Sequence, residues 1–146
     1  MNLLRGVRKP LEGILDVFFP PVCHLCREII PDATELHLCL ACQKKVIPVS
    51  SPLCSCCGTP FVSTVQDDHL CGDCSITKPQ FAVARAAFRF EGGMQELIHR
   101  FKYGNRVQLR RPLALLMIAQ LSDTVRQWSP ELLVPVPLHD SRLRWR

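Results

Sequence analysis

The cysteines of this chain are arranged in pairs that are suited to binding metal. Eight of the nine form four Cys-x-x-Cys motifs: Cys23/Cys26, Cys39/Cys42, Cys54/Cys57 and Cys71/Cys74. Twelve residues separate the first two pairs, and thirteen separate the last two. A hairpin can bring two such pairs around one Zn²⁺ ion, because four thiolates are a common tetrahedral ligand set. The spacing therefore predicts two zinc ribbons in tandem, with two structural zinc ions, each held by four cysteines.

One further thiol and three imidazoles lie near these motifs. Cys56 could be a ligand in a slipped register, but pairing Cys54 with Cys57 preserves the spacing that occurs three more times, so we expect Cys56 to be free. Three histidines could replace a thiolate as ligands. With eight well-spaced thiols available, we expect them to lie beside the sites or to face solvent. They are His24, His37 and His69.

The backbone around the pairs has residues that favour tight turns. Gly58 follows the second ligand of its pair, where a zinc knuckle turns sharply and a residue without Cβ tolerates a positive φ. Residues 31–32 and 67–68 mark the expected tips of the hairpins. Four thiolates leave no open coordination position, so we expect structural rather than catalytic metal. A redox or zinc-relay function is disfavoured, because catalytic Cys-x-x-Cys motifs usually occur singly, at the start of a helix.

These 146 residues leave room for one ordinary domain, or for a small metal domain beside part of a larger one. All cysteines lie between Cys23 and Cys74. We find neither a signal-peptide pattern before them nor a run of 18 apolar residues, and so expect no membrane span. A reducing cytoplasm, where thiolates bind metal rather than form disulfides, is the expected location.

Positive charge is concentrated in the second half of the chain. Residues 1–80 contain seven Lys/Arg and eight Asp/Glu, whereas residues 81–146 contain eleven and five. Eight thiolates and two Zn²⁺ together contribute −4, so the formal net charge of +5 falls to +1 in the zinc-bound chain. The Arg-rich half either binds an anionic ligand or forms a solvated face, and composition leaves both interpretations open.

Hydrophobic periodicity predicts the elements on either side of the cysteines. Apolar residues recur at helical spacing over residues 3–19, which predicts an amphipathic N-terminal helix that packs on the rest of the protein. Residues 81–90 follow a strand pattern, with Phe88 and Phe90 expected on one face. Residues 131–134 are a short apolar run that predicts a buried parallel strand.

Two helices are predicted between these strands. The first opens at Gly92-Gly93, closes at Gly104, and carries four apolar residues on one face: Met94, Leu97, Ile98 and Phe101. The second runs from about Pro112 to Trp128. Its residues 113–119 are apolar all round, so we expect this stretch to be buried on several sides.

The order of these motifs resembles that of the ComF family of competence-associated, phosphoribosyltransferase-related proteins. The matching segments are FFPPVCHLC, LCLAC, CGDC, AAFRFEG, ELIHRFKYGNR, RPLALLM and VPVPLHDSRLRWR. The resemblance implies a small zinc-ribbon domain followed by the N-terminal part of an α/β type I phosphoribosyltransferase-like domain. The corresponding divisions are an amphipathic helix at residues 1–20, a double zinc ribbon at 21–79, and the partial transferase-like domain at 80–146.

The chain lacks one feature of that family, an acidic, Thr/Gly-rich loop that binds the ribose and 5-phosphate of phosphoribosyl pyrophosphate. We therefore expect this chain to be catalytically incomplete, and to depend on a partner such as a separately encoded C-terminal half or another competence protein. In the family, a loop with basic residues approaches the pyrophosphate of the sugar donor, and three arginines of this chain match those residues. The alternative is that these arginines form a solvated tail. They are Arg142, Arg144 and Arg146.

The resemblance also implies a link to single-stranded DNA, and gives an alternative function as a binding module. Because the ribbon half is acidic once thiolates are counted, DNA contacts are expected in the Arg-rich half. Phe101 or Tyr103 would supply base stacking there. The expected phosphate contacts are Arg100, Lys102, Arg106, Arg110 and Arg111.

Overall fold

The computed structural model describes residues 19–31, 34–62 and 67–137. The predicted N-terminal helix lies outside these residues except at its end, and Arg142, Arg144 and Arg146 lie outside them entirely. The helices of the described residues are α1 (Leu40–Gln43), α2 (Gly72–Ile76), α3 (Gly92–Tyr103), a 3-10 turn (Val107–Leu109) and α4 (Arg110–Trp128). None of these helices is long and apolar enough to span a bilayer.

The two cysteine-rich segments are built alike. In each, a single antiparallel bridge flanks the first Cys-x-x-Cys turn, between Val22 and Ile29 in the first and between Leu53 and Pro60 in the second. In each, the second pair of cysteines begins at the residue that precedes a short helix, α1 or α2. Within the described residues the expected β-hairpins are thus reduced to isolated bridges, because metal ligands rather than long ladders hold the turns.

Helix α3 confirms the predicted apolar face. It spans the predicted residues, and the chain leaves it at Gly104. Met94 and Leu97 are buried, and Ile98 and Phe101 pack against the same cluster at partial exposure.

The main hydrophobic core joins the first ribbon to the helices. Side chains of the first ribbon, of α3 and of the 3-10 turn form one contiguous cluster, and Leu113 and Leu116 of α4 pack against it. The buried members are Cys23, Leu25, Ile30, Leu38, Cys42, Val46, Met94, Leu97 and Leu109. The buried residues of the second ribbon, Val49, Leu53, Cys54 and Cys74, lie outside this cluster. The first ribbon therefore shares its core with the helices, and the second ribbon does not.

Helix α4 has the predicted extent but not the predicted burial. It ends at Trp128, followed by Ser129 in the left-handed region (φ 45°). Leu113 and Leu116 contact the core, but Met117 and Ile118 are more than half exposed. The prediction that residues 113–119 are buried on several sides was wrong, because the described residues cover only one side of this helix.

The prediction of a strand at residues 81–90 was also wrong. Only Phe88 forms a bridge, to Pro48, supported by backbone hydrogen bonds from Arg89 to Ile47 (2.9 Å) and from Val49 to Ala87 (3.1 Å). The chain bends at residues 90–91 to start α3. Phe88 therefore packs against the core, while Phe90 is exposed rather than sharing its face.

The buried parallel strand predicted at residues 131–134 is not formed either. Leu132, Leu133 and Val134 are each at least 75% exposed, and the segment has no strand assignment. No strand among the described residues lies beside it to supply ladder hydrogen bonds, so the apolar sequence stays uncovered.

Candidate metal centres

The structure gathers the eight predicted cysteines into two clusters of four. Within each cluster, all four sulfur atoms lie within 4.8 Å of one another. The Sγ atoms of Cys26 and Cys39 are 3.7 Å apart, and those of Cys57 and Cys71 are also 3.7 Å apart. Zinc–sulfur bonds of about 2.3 Å in a tetrahedron place the sulfurs about 3.8 Å apart. Each cluster thus has the ligand type and the size that Zn²⁺ requires, which confirms the prediction of two structural zinc ions.

Backbone amides support the first ligand of each cluster. The Cys23 Sγ accepts hydrogen bonds from the backbone N–H groups of Leu25 and Cys39, both at 3.5 Å. The Cys54 Sγ accepts them from Cys57 at 3.4 Å and Cys71 at 3.3 Å. Such donors stabilise a thiolate and orient it toward the metal. Both sulfurs are buried, so their charge is held by amides rather than by water.

Burial and these hydrogen bonds give the thiols of each cluster different pKa values before metal binds. Burial alone would raise the pKa of Cys23, but N–H groups of Cys39, Cys26 and Leu25 outweigh it and lower the pKa to about 6. In the second cluster burial is likewise outweighed by amides of Cys71, Cys57 and Cys56, so the pKa of Cys54 falls to about 6. Burial instead raises the pKa of Cys42 to about 12. One ligand of each cluster is therefore a ready thiolate near neutral pH, and Zn²⁺ must displace protons from others.

Comparison with known proteins agrees with this geometry. A family model described as a double zinc ribbon domain matches residues 14–75. Competence protein F of Haemophilus influenzae is 32% identical over 132 residues, which cover 88% of this chain and 55% of that protein. This chain is similar to the ComF family in its double zinc ribbon and in its match to this competence protein. It spans about half the length of the Haemophilus relative, and no solved structure matches it significantly.

The residue after the second ligand of each zinc knuckle, the Cys-x-x-Cys turn that begins each ribbon, has a positive φ. In the first ribbon this residue is Arg27, with φ 66°, and in the second it is Gly58, with φ 73°. Its N–H donates to the carbonyl of the first cysteine, Cys23 or Cys54, at 3.0 Å in both ribbons. The turn is thus the same in both, and only the second ribbon uses the residue that adopts this conformation without strain.

Replacing Gly58 with Ala should destabilise the second ribbon. The new Cβ would lie 2.6 Å from the carbonyl oxygen of Ala84, and the left-handed conformation itself costs an L-residue roughly 1–2 kcal/mol. The matched control is Arg27→Gly at the equivalent turn, which removes that cost. Thermal unfolding, monitored by circular dichroism, should have a lower midpoint temperature in Gly58→Ala than in the unchanged protein. Arg27→Gly should not lower the midpoint temperature. A lower midpoint in both variants would contradict this account of the turn.

Two arginines donate hydrogen bonds to backbone carbonyls of the zinc knuckles, one arginine to each knuckle. Arg100 of α3 donates to the backbone carbonyls of His24 and Leu25, the latter at 3.1 Å, and also pairs with Glu96. Arg85 donates to the carbonyls of Cys54 (3.4 Å) and Ser55 (3.1 Å). Sequence reasoning assigned Arg100 to DNA and gave Arg85 no contact. Nothing in the local sequence signals these roles, because each arginine reaches a turn that is at least 30 residues away.

The remaining candidate ligands lie outside both sulfur clusters. Cys56 is half-buried, and its carbonyl accepts a hydrogen bond from the Ala84 N–H at 2.7 Å. The rings of His24 and His37 lie 5.5 Å apart, and His69 stacks on Phe61 at 4.2 Å. Burial, with positive charge from His37 and Arg100, lowers the pKa of His24. These groups surround the sites without joining either cluster of four sulfurs.

Proposed function

We propose that this chain forms the zinc-held part of a phosphoribosyltransferase-related protein that acts in competence. In this proposal the ribbons are a rigid platform, and residues 80–137 present the first elements of an α/β domain to the segment that completes it. A reducing compartment such as the cytoplasm suits this role, since the eight thiols must stay free to bind zinc.

The observation that carries this proposal is an uncovered aliphatic surface. Leu132, Leu133, Val134 and Val136 follow α4 in an extended run, and all are at least 75% exposed. On α4 itself Met117 and Ile118 are also exposed, as is Trp128 at its end. Adjacent exposed apolar side chains of this kind mark a surface that a partner covers.

The order of the elements indicates what covers it. A helix followed by a short, wholly apolar extended run is the arrangement of an α/β unit, whose parallel strands are buried between helices. Such a strand forms only when a neighbouring strand supplies its hydrogen bonds. We therefore propose that residues 131–134 pair with a sheet, and that this sheet also covers the open side of α4.

The chemistry of the transferase would come from that docked sheet. Backbone amides of a loop that leads into a helix are the usual cradle for a phosphate group. The 146 residues contain no Gly-rich loop of this kind. The proposed reaction therefore takes place only after docking, and Arg142, Arg144 and Arg146 would face the pyrophosphate in the assembled site.

Calorimetry with phosphoribosyl pyrophosphate tests this proposal. We expect no binding heat from this chain alone, and a binding isotherm after it is mixed with the stretch of the Haemophilus relative that it does not match. Val134→Asp should abolish the isotherm, because it places a charge in the new sheet. Ile76→Asp, an equally exposed substitution on the second ribbon, should preserve it. Binding heat from this chain alone would refute the proposal.

A second candidate is binding of single-stranded DNA by the Arg-rich half, in place of or beside transferase chemistry. The exposed side chains of Arg106 and Arg110 favour it. The structure narrows the contact set, since Arg100 holds the first knuckle and Arg111 pairs with Glu35 at 2.6 Å. Filter binding across a salt series tests it: affinity should fall steeply as salt rises, and affinity that is insensitive to salt would refute it.

A further inference from the structure

Three aromatic rings form an exposed row beside α3. The rings of Phe90 and His99 have centroids 5.7 Å apart, and those of His99 and Tyr103 are 5.8 Å apart. Phe90 is 57% exposed and Tyr103 is 74% exposed. We call these three residues the aromatic row. Contiguous large rings left in water indicate a binding surface rather than a packing function.

The helix geometry explains why this row faces solvent. His99 and Tyr103 are four residues apart, so they lie on the same face of α3. Met94 and Leu97 lie on the opposite face and are buried against the first ribbon. Phe101, which the sequence offered as a stacking residue, packs against that core instead. The rings that a ligand can reach beside Tyr103 are therefore those of Phe90 and His99, and not that of Phe101.

The charges around the row favour an anionic ligand. Lys102 precedes Tyr103 directly, and Arg106 follows three residues later with an exposed side chain. The acidic residues of α3 and of the position just before it are already paired, Glu91 with Arg89 at 3.9 Å and Glu96 with Arg100. A ligand that brings both flat rings and negative charge would meet aromatic faces and cations together.

We propose that the aromatic row stacks the bases of single-stranded DNA, while Lys102 and Arg106 contact the adjoining phosphates. This inference rests on the second candidate function and assigns its base contacts. Aromatic side chains beside a basic track are the usual means of binding single strands, because every base has a face that can stack. The aliphatic surface of α4 and residues 132–136 lacks such rings apart from Trp128, so it suits a protein segment instead.

Two oligonucleotides separate stacking from charge. One is an oligothymidine of about ten nucleotides, within the range of site sizes for single-strand binders, and the other is an abasic strand of equal length and charge. We expect fluorescence anisotropy to show oligothymidine binding at least about tenfold tighter than the abasic strand, the gain typical of one stacked base. Tyr103→Ala and Phe90→Ala should each reduce this advantage, and Tyr103→Phe should retain it.

Phe81→Ala is the matched control, since Phe81 is also about half exposed but is not part of the row. It should leave the advantage of oligothymidine unchanged, and zinc content should be equal in all variants. Equal binding of the two strands would overturn the stacking inference while leaving DNA binding intact. Failure of both strands to bind would overturn the DNA function as well. Row variants that instead weaken association with the unmatched stretch of the Haemophilus relative would identify a protein interface and overturn the inference.

Discussion

Cys39→Ser should release one zinc ion and unfold the first ribbon together with much of the helical region. Cys71→Ser at the equivalent ligand should also release one zinc ion, but it should unfold only the second ribbon. The difference arises because the first ribbon shares its core with α3 and the 3-10 turn, whereas the buried residues of the second ribbon lie outside that cluster. Structural zinc supplies much of the folding free energy of such small domains, so losing a ligand removes most of their stability.

Far-UV circular dichroism and zinc analysis of the two variants measure this asymmetry. Most helical residues lie in α3 and α4, so the helical signal should fall much further in Cys39→Ser than in Cys71→Ser. Both variants should contain one zinc ion per chain. Cys56→Ser is the control, since Cys56 belongs to neither cluster, and it should retain both ions and the full signal. Equal loss of helix in the two ligand variants would show that the ribbons are not coupled to the helices as the structure indicates.

Leu97→Ala should be the most destabilising apolar truncation among the described residues of α3. Leu97 is 1% exposed and lies in the cluster between the helix and the first ribbon. Removing a buried leucine side chain costs about 2–5 kcal/mol, from the lost burial and the cavity that remains. A loss of that size is a large fraction of the stability of a small domain.

Urea unfolding of the zinc-bound protein checks this prediction. Ile118→Ala on the exposed side of α4 is the matched control and should change the free energy of unfolding by no more than about 0.5 kcal/mol. Both variants should keep two zinc ions in the absence of urea, because neither residue is a ligand. Similar losses in the two variants would mean that the exposed side of α4 is covered in solution.

The metal sites and the two long helices, α3 and α4, were predictable from sequence because their signals are local, whereas the short helices α1 and α2 were not predicted. Two cysteines separated by two residues can bind one metal ion only from a tight turn, so spacing alone assigned all eight ligands. The apolar residues of α3 recur at helical intervals, and Gly104 marks its end, so its bounds needed no tertiary information. Gly58 likewise predicted a tight turn, and its φ of 73° confirms that turn.

The errors came from features that depend on distant parts of the chain. The apolar run at residues 131–134 has the composition of a buried strand, but a strand also needs a neighbour, and none is among the described residues. Residues 81–90 alternate as a strand does, yet only Phe88 forms a β-bridge, to Pro48. The other backbone hydrogen bonds of this stretch go to different partners, with Ala84 donating to Cys56, and the chain bends at residues 90–91 to begin α3. The contacts of Arg85 and Arg100 with the knuckles join residues far apart in sequence, so no local pattern could reveal them.

Elemental analysis of the protein, purified without added metal and under reducing conditions, tests the central claim most directly. Two clusters of four sulfurs, each with the spacing of a tetrahedral zinc site, predict two zinc ions per chain and eight thiols that alkylating reagents reach only after chelation or unfolding. A chain that contains no zinc, or that folds with its cysteines joined in disulfides, would contradict the account.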